Sequence, residues 1–351
     1  MSLISIQLKN FRSYSDASFT FHEGVNVITG PNASGKTNLL EAILLLCSGK
    51  TYRTTDVNDL INKDKPWARV DGLFGESQRT IKLTDDGKKK FIIDDKEIIR
   101  LQPKYNIPTV LFEPSQLQLL TYSPDMRRSL LDDVLSQINP EFVMVKKKYT
   151  QALRQRNSLL KTNNIGLIKS QIFAWNIRLS ELASQYVQHR LEIIERINKT
   201  LSEDYSEIAG SQHNVDIQYN SAIDLDTYSS AILHSLDTSL DKDIARGFTG
   251  SGPHRDDIII SINNKPLKAG ASRGEVRTTL LAIKLAESYV IENLMGLKPI
   301  LLLDDVLSEL DGVRRHMLTT NIKANQTFVT TTDADIIKGG INNNAQMIKL
   351  P

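Results

Sequence analysis

The stretch GPNASGKT, residues 30–37, constrains this chain more than any other eight residues in it. It has the spacing G-x-x-x-x-G-K-[ST] and stands between GVNVIT, a short apolar run, and NLLEAILLLC, which reads as a buried helix. A strand, a glycine-rich turn and a helix in that order turn backbone N–H groups, and the positive end of the helix, toward an anion. The chain is therefore expected to be an α/β protein with a nucleotide site. Gly30, Pro31, Asn32, Ala33, Ser34, Gly35, Lys36 and Thr37 are the expected phosphate-binding residues, with a nucleotide and Mg2+ as the ligands; the loop alone does not separate a small-molecule kinase from a GTPase, a helicase or a transporter engine. Lys36 contributes a point charge, and Thr37 offers a hydroxyl to the cation.

A second motif narrows the chemistry. In PILLLDDVLSELD (299–311) an apolar strand ends in Asp304, placed to hold Mg2+ through its water shell, and Asp305 follows, placed to polarise an attacking water. Lys36, Asp304 and Asp305 are the expected catalytic residues, and Thr37 and Asp304 the expected metal-side residues. An aspartate at 305 reaches one methylene less than a glutamate, so hydrolysis is expected to be slow, below ~10 s⁻¹.

Around these motifs the chain reads strand-rich, then helical, then strand-rich. ISIQLKNF alternates in period two, and TIKLTDDGKKKFIIDD is a hairpin turning at Asp86-Gly87. Character changes after Pro114: from about 123 to 207 the sequence is Leu-, Lys-, Arg- and Gln-rich with helical spacing, and heptads do not persist. Strands return in DIIISINNKPL, with an Asn-Asn turn, and KPILLLDDV and QTFVTTTD read as buried parallel strands. Between them a helix is expected over 275–295, capped by Gly296 and stopped by Pro299. One α/β domain from residues 1–112 and 247–351, interrupted by a helical insertion at 113–246, accounts for this order.

The chain of 351 residues carries a single cysteine, Cys47, which excludes an intramolecular disulfide framework and a cysteine-cluster metal site. The amino-terminal residues lack a signal peptide's basic start and apolar core, and no run of 18 apolar residues exists. A cytoplasmic protein with no membrane segment is expected. A net charge of +2 identifies no partner. Between residues 126 and 178, however, ten lysines and arginines stand against three acids. Charge runs of this kind are usually solvated faces; a basic helical region also suits a phosphate backbone, and the sequence alone leaves the choice open. Arg127, Arg128, Lys146, Lys147 and Lys148 are the candidate DNA-phosphate contacts. His189, His213, His234 and His316 show no ligand spacing and read as structural, and Trp175 reads as lobe packing.

LKNFRSY (8–14), the loop at 30–37, ASRGE (271–275) and LLLDDVLSELD (301–311) together resemble the ABC-type ATPase heads of the SMC/RecF superfamily. Within it, GKTYRT (49–54), SPDMRRSLLD (123–132), RQRNSLL (154–160), GPHRDD (252–257) and the short insertion resemble the bacterial RecF family of DNA repair proteins. The resemblance implies an ABC-type P-loop ATPase head, a mixed sheet plus helices, with an inserted mainly helical lobe. It implies an ATP-dependent homodimer in which Ser272, Arg273, Gly274 and Glu275, the signature at a helix start, face the γ-phosphate bound by the other subunit. Ser272 and Glu275 also read as an ordinary capping box, and the two roles are compatible. By the same resemblance Asp311 crosses the dimer interface, Arg12 contacts the nucleotide, and Glu113 or Gln116 senses the γ-phosphate. Thr331 and Thr332 stand where many ABC ATPases place a switch histidine. Arg53, His254 and Arg255 lie in family-like stretches with no assigned chemistry.

The implied function is a weak DNA-associated ATPase that binds single-stranded DNA and gapped duplex in recombinational repair and replication. It would work with RecO and RecR in recombinase loading and support the SOS response. Two other readings share parts of the pattern. A transporter's energising subunit shares the loop, signature and acidic strand, but the helical insertion and Thr331/Thr332 stand against it. A regulatory ATP-binding scaffold differs in not taking DNA as a direct ligand.

Overall fold

The structure, a computed structural model, describes residues 2–99, 101–113, 116–121, 123–162, 164–332 and 345–351. Pro114 and Ser115, beside Gln116, and Asp333, at the end of QTFVTTTD, lie outside the described residues. Two units divide the chain: Met1–Leu117, Glu203–Gln212 and Arg277–Pro351 form the first, Gln118–Ser202 and His213–Val276 the second.

In the first unit, β1 (Leu3–Phe11) and β2 (Tyr14–Thr20) begin an antiparallel sheet. β3 (Val25–Thr29) belongs to another sheet and leads through the glycine-rich loop into α1 (Lys36–Ser48). β4 (Trp67–Phe74), β5 (Ser77–Thr84), β6 (Lys89–Ile93) and β7 (Lys96–Ile98) complete the first sheet in the order β2-β1-β4-β5-β6-β7. Burial alternates along β4, as expected of a sheet covered on one face. The expected β5–β6 hairpin turns at Asp86-Gly87, where Gly87 has φ 77°.

The second sheet is parallel. β8 (Thr109–Phe112), β12 (Ile300–Asp304), β13 (Thr327–Thr331) and β14 (Gln346–Lys349) join β3 in the order β14-β3-β13-β12-β8. Every residue of β3, β12 and β13 is buried, which is why these strands read as continuous apolar or β-branched runs. α1 packs on β4 and β5 of one sheet and on β8, β12 and β13 of the other. Covered on both sides, it is apolar around most of its circumference, and Leu39, Leu40, Ile43, Leu45 and Leu46 are at most 1% exposed. Each such side chain contributes roughly 1.5–3 kcal/mol. The phosphate loop is thereby anchored at both ends in the hydrophobic core of the unit.

α2 (Gln116–Thr121) begins in the first unit and ends in the second, which holds α3 (Pro124–Ile138), α4 (Pro140–Leu160) and most of α5 (Ile165–Ala209). β9 (Val215–Asn220), α6 (Tyr228–Thr238), α7 (Leu240–Arg246), β10 (Asp257–Ile262) and β11 (Lys265–Pro266) follow. The unit's borders fall at 117/118 and 276/277, where the sequence suggested 112/113 and 246/247. At the second border the reason is β-pairing: β10 hydrogen-bonds β9 from Asp257↔Asn220 to Ile262↔Val215, so the strand belongs with the helices. Asn263 and Asn264, φ 50° and 62°, make the expected turn into β11. α8 (Arg273–Met295) starts in this unit and ends at Gly296, φ 65°; α9 (Gly312–Asn321) follows β12 in the first unit.

Buried ion pairs stitch the helical unit together. Arg156 and Asp243 are both fully buried and 2.7 Å apart, and Arg156 also donates to Asn176 and Thr249. Arg190 pairs with Asp132 at 2.9 Å and donates to the Pro253 carbonyl. The RQRNSLL, SPDMRRSLLD and GPHRDD stretches thus supply its polar interior. Among the described residues no helix is long and apolar enough to cross a membrane.

Candidate nucleotide site

The loop between β3 and α1 is shaped by two glycines. At Gly30 a Cβ would lie 2.6 Å from Ser34 Oγ and 3.1 Å from the Leu350 carbonyl oxygen, so only glycine lets the chain fold back on itself there. Gly35 has φ 99°, and Ala33, φ 68°, shares the left-handed region, the backbone reversal on which a phosphate nest depends. Tyr14 Oη donates to the Gly35 carbonyl at 3.0 Å, tying the loop to β2; burial pushes this phenol up to about 12. Lys36, 9% exposed, donates from Nζ to the Gly30 and Pro31 carbonyls, each at 2.7 Å. Its ammonium therefore sits inside the curve of the loop.

β12 delivers the acidic pair to the same place. Thr37 Oγ1 donates to Asp304 Oδ1 at 2.9 Å, joining two motifs 267 residues apart. Thr330 Oγ1 donates to the same oxygen at 2.8 Å, and Tyr52 Oη donates to Asp304 Oδ2 at 3.1 Å. Burial and the Asp304 carboxylate push the Tyr52 phenol well above its ordinary value, so it remains a donor. Asp305 has φ 51°, a left-handed backbone for a non-glycine residue, and its N–H donates to Thr330 Oγ1 at 2.9 Å. That turn aims Asp305 into an open cleft of about 390 Å3, whose lining includes Asn32, Lys36, Thr37, Arg53, Asp305 and Thr332. The volume is in the range that holds a nucleotide-sized ligand. Asp305 Oδ1 and Ser34 Oγ are buried and have no hydrogen-bond partner within the protein. A group bringing a phosphate and its cation would meet amides, an ammonium, a hydroxyl and carboxylates together.

The description RecF/RecN/SMC N terminal domain belongs to the family model that matches residues 2–349. The DNA replication and repair protein RecF of Alkaliphilus oremlandii is 34% identical over 349 residues, 96% of this chain and 95% of that protein. The RecF of Clostridium perfringens is also 34% identical, covering all of this chain and 98% of its own length. The chain belongs to the RecF family. A solved structure of the recombination mediator protein RecF with ATP, in the RecFOR pathway, superposes with TM-score 0.84 at 30% identity, over 95% of this chain and 92% of that one. An SMC head bound to the C-terminal winged-helix domain of ScpA, 17% identical, has TM-score 0.57 over 97% and 92% of the two chains, a likeness of fold. The fold is that of an ABC-type ATPase head.

Within this RecF-family frame, some expected residues meet at the cleft and others do not. The loop, Asp304 and Asp305 converge. Arg12, φ 50°, is occupied otherwise: Nε and Nη2 donate to Glu41 Oε2 and Oε1 at 2.8 and 3.0 Å, and Glu41 is fully buried. Arg53 lies 4.0 Å from the same carboxylate and donates to Asn38 Oδ1 at 2.8 Å, at the rim of the cleft. Neither Glu113 nor Gln116 is part of the cleft lining; Gln116 Oε1 accepts from the Glu113 N–H at 3.4 Å. Thr331 is buried at the end of β13 while Thr332 reaches the cleft.

The signature residues belong to the second unit. Ser272 N–H donates to Glu275 Oε2 at 2.7 Å and Glu275 N–H to Ser272 Oγ at 3.2 Å, the reciprocal capping box that S-x-x-E spells. The Ser272 amide holds the Glu275 carboxyl below its usual range. Ser272 and Arg273 are exposed, and Gly274 is half-buried. Asp311 is the N-cap of α9, accepting from Arg314 N–H at 3.0 Å and pairing with the Arg314 guanidinium.

The expected DNA contacts separate into two groups. Arg127 and Arg128 are only 3% and 7% exposed. Arg127 forks onto Asp257 at 2.9 and 2.7 Å, and Arg128 binds the Asp256 carbonyl and Asp125. Spent on internal partners, these two do not present charge to a DNA backbone. Lys146 is half-buried, 2.9 Å from Asp132, whereas Lys147 and Lys148 are exposed. His254, from GPHRDD, is structural: Tyr149 Oη lies 2.6 Å from Nδ1 and the Thr249 carbonyl 3.2 Å from Nε2. A carbonyl can only accept, so Nε2 carries the hydrogen and Tyr149 donates to Nδ1. Glu41, Tyr52 and Thr330 were not singled out from the sequence, though Tyr52 lies in the GKTYRT stretch that was.

Proposed function

We propose that this chain is an ATP-dependent DNA-binding protein of recombinational DNA repair and replication. The observation that carries the nucleotide half is the hydrogen bond from Thr37 Oγ1 to Asp304 Oδ1 at 2.9 Å, which puts the loop hydroxyl and the strand-end carboxylate at one point. The relatives named DNA replication and repair protein RecF, and the RecF structure with ATP, support the assignment.

On this reading the loop amides and Lys36 bind the β- and γ-phosphates, and Thr37 and Asp304 hold Mg2+. Among the described residues no cluster of three His, Cys, Asp or Glu is placed to cage a metal, in keeping with a cation held partly by phosphate oxygens and water. Bound Mg2+ would supply charge neutralisation at the phosphates. Asp305, held in its left-handed turn, orients water for attack; its short side chain keeps hydrolysis slow.

Ser272, Arg273, Gly274 and Glu275 close an ATP-dependent homodimer by facing the nucleotide of the second subunit, with Asp311 at the same interface. Single-stranded DNA or gapped duplex is bound in that state, Lys147 and Lys148 contributing phosphate contacts. RecO and RecR are the proposed partners, in recombinase loading and the SOS response, in the cytoplasm. The test is binding of a labelled gapped duplex with ATP and Mg2+ and then with ADP, repeated with Ser272→Arg. Tight binding that needs ATP and is lost in the variant is expected. Binding indifferent to nucleotide would overturn the clamp, and no binding would move the chain to an ATP-dependent scaffold.

A further inference from the structure

GKTYRT was distinctive in the sequence, yet nothing in the proposed chemistry uses its middle residues. In the structure the segment between α1 and β4 is tied down at two consecutive positions. Tyr52 Oη donates to Asp304 Oδ2 at 3.1 Å, and Arg53 Nη1 donates to Asn38 Oδ1 at 2.8 Å. The Tyr52 ring packs against the hydrophobic core of the first unit, so its hydroxyl is delivered from a fixed base. Asp304 is only 7% exposed, and its other oxygen accepts from Thr37 and Thr330 at 2.9 and 2.8 Å. Two of the three hydroxyls lie on one oxygen. Without the third, the carboxylate plane would be held from one oxygen only, and its second oxygen would lose a partner in a largely buried place.

We propose that Tyr52 is a positioning residue for the nucleotide-bound cation: its hydroxyl fixes the plane of the Asp304 carboxylate and so sets affinity for the divalent ion. Partners of metal-binding groups commonly matter in this way, because they orient the binding oxygen and hold its protonation state. The inference rests on the proposed function, since it needs a nucleotide and a divalent cation at the loop. Arg53 supports it by pinning the adjacent residue to α1, so that the tyrosine cannot swing away from β12 without breaking a second bond.

The experiment is Tyr52→Phe, which removes the hydroxyl and keeps the ring. Affinity for a fluorescent ATP analogue is read by anisotropy in EDTA and across a Mg2+ titration, with hydrolysis not required. The expected result is a half-saturating Mg2+ concentration about tenfold higher, with affinity in EDTA unchanged. In an Asp304→Asn background the same substitution is expected to add nothing, because the group it acts through is already altered. An unchanged Mg2+ dependence, an equal loss in EDTA, or an additive effect in the Asp304→Asn background would each overturn the positioning role. If the unsubstituted protein itself bound no nucleotide with Mg2+, the proposed function would fall and this inference with it. Normal wild-type binding with an indifferent Tyr52→Phe sinks the inference alone.

Discussion

Arg12 and Glu41 form a two-point ion pair, Nε to Oε2 at 2.8 Å and Nη2 to Oε1 at 3.0 Å, with the carboxylate wholly buried in α1. An arginine expected to meet the nucleotide is thus first a counter-ion to the helix that carries the phosphate loop. Removing it strands a charge in the core of the unit, with Arg53, 4.0 Å away, in partial compensation. Arg12→Ala is expected to lower unfolding stability by about 3 kcal/mol, the scale for breaking a buried pair on one side. Urea denaturation checks this; a loss below ~1 kcal/mol would mean the pair is replaceable.

Asp305 and Lys36 line one cleft, and the proposed function gives them different work. Lys36→Ala is expected to weaken ATP binding at least tenfold. Asp305→Asn is expected to leave binding within about threefold and slow single-turnover hydrolysis roughly 100-fold, the scale of a lost general base. A binding defect equal in both variants would remove the catalytic assignment from Asp305.

The capping role of Ser272 and its proposed role in the homodimer are separable. Aspartate is as good an N-cap as serine, so Ser272→Asp is expected to keep the α8 start and change stability by less than ~0.5 kcal/mol. It replaces a hydroxyl donor with a negative charge, so ATP-dependent dimerisation, followed by light scattering, is expected to disappear. Dimerisation equal to wild type would leave the residue as a cap alone.

His254 gives the helical unit a pH dependence. Burial lowers it from the ordinary 6.5 to about 4. A base depressed in the folded state is protonated first in the unfolded chain, so its stabilisation is full above pH 6.5 and is lost as pH falls toward 4. The shift corresponds to about 3 kcal/mol. His254→Gln should therefore differ most from wild type at pH 7.5, and the gap should close by about that amount at pH 4. Urea midpoints across the range decide it; a constant gap would show that the histidine does not titrate in this window.

Lys147 and Lys148 are exposed where Arg127 and Arg128 are not. Reversing both lysines to glutamate is expected to weaken DNA binding and reduce its salt slope by about 2, one for each lost phosphate contact, while leaving the fold intact. Arg127→Glu, set against Asp257 2.7 Å away, is expected to destabilise the protein instead. An unchanged salt slope in the lysine variant takes these residues out of the DNA surface.

Features whose physics lies within a few neighbouring residues could be read directly from the letters. The loop at 30–37 depends on glycines and a lysine in sequence, the start of α8 on Ser272 and Glu275 three residues apart, and the β5–β6 hairpin on Asp86-Gly87. Continuous apolar runs marked β12 and β13 as buried parallel strands before any partner was known. Charge partners and burial are another matter, because they are decided by contacts across long stretches of chain. Arg12 meets Glu41 29 residues on, Arg127 meets Asp257 130 residues on, and Tyr52 reaches Asp304 across 252. A count of basic residues treats a cation the same whether it faces water or a buried carboxylate, so Arg127 and Lys147 looked alike. β10 likewise reads as a strand on its own, but only its hydrogen bonds to β9 assign it to the helical unit.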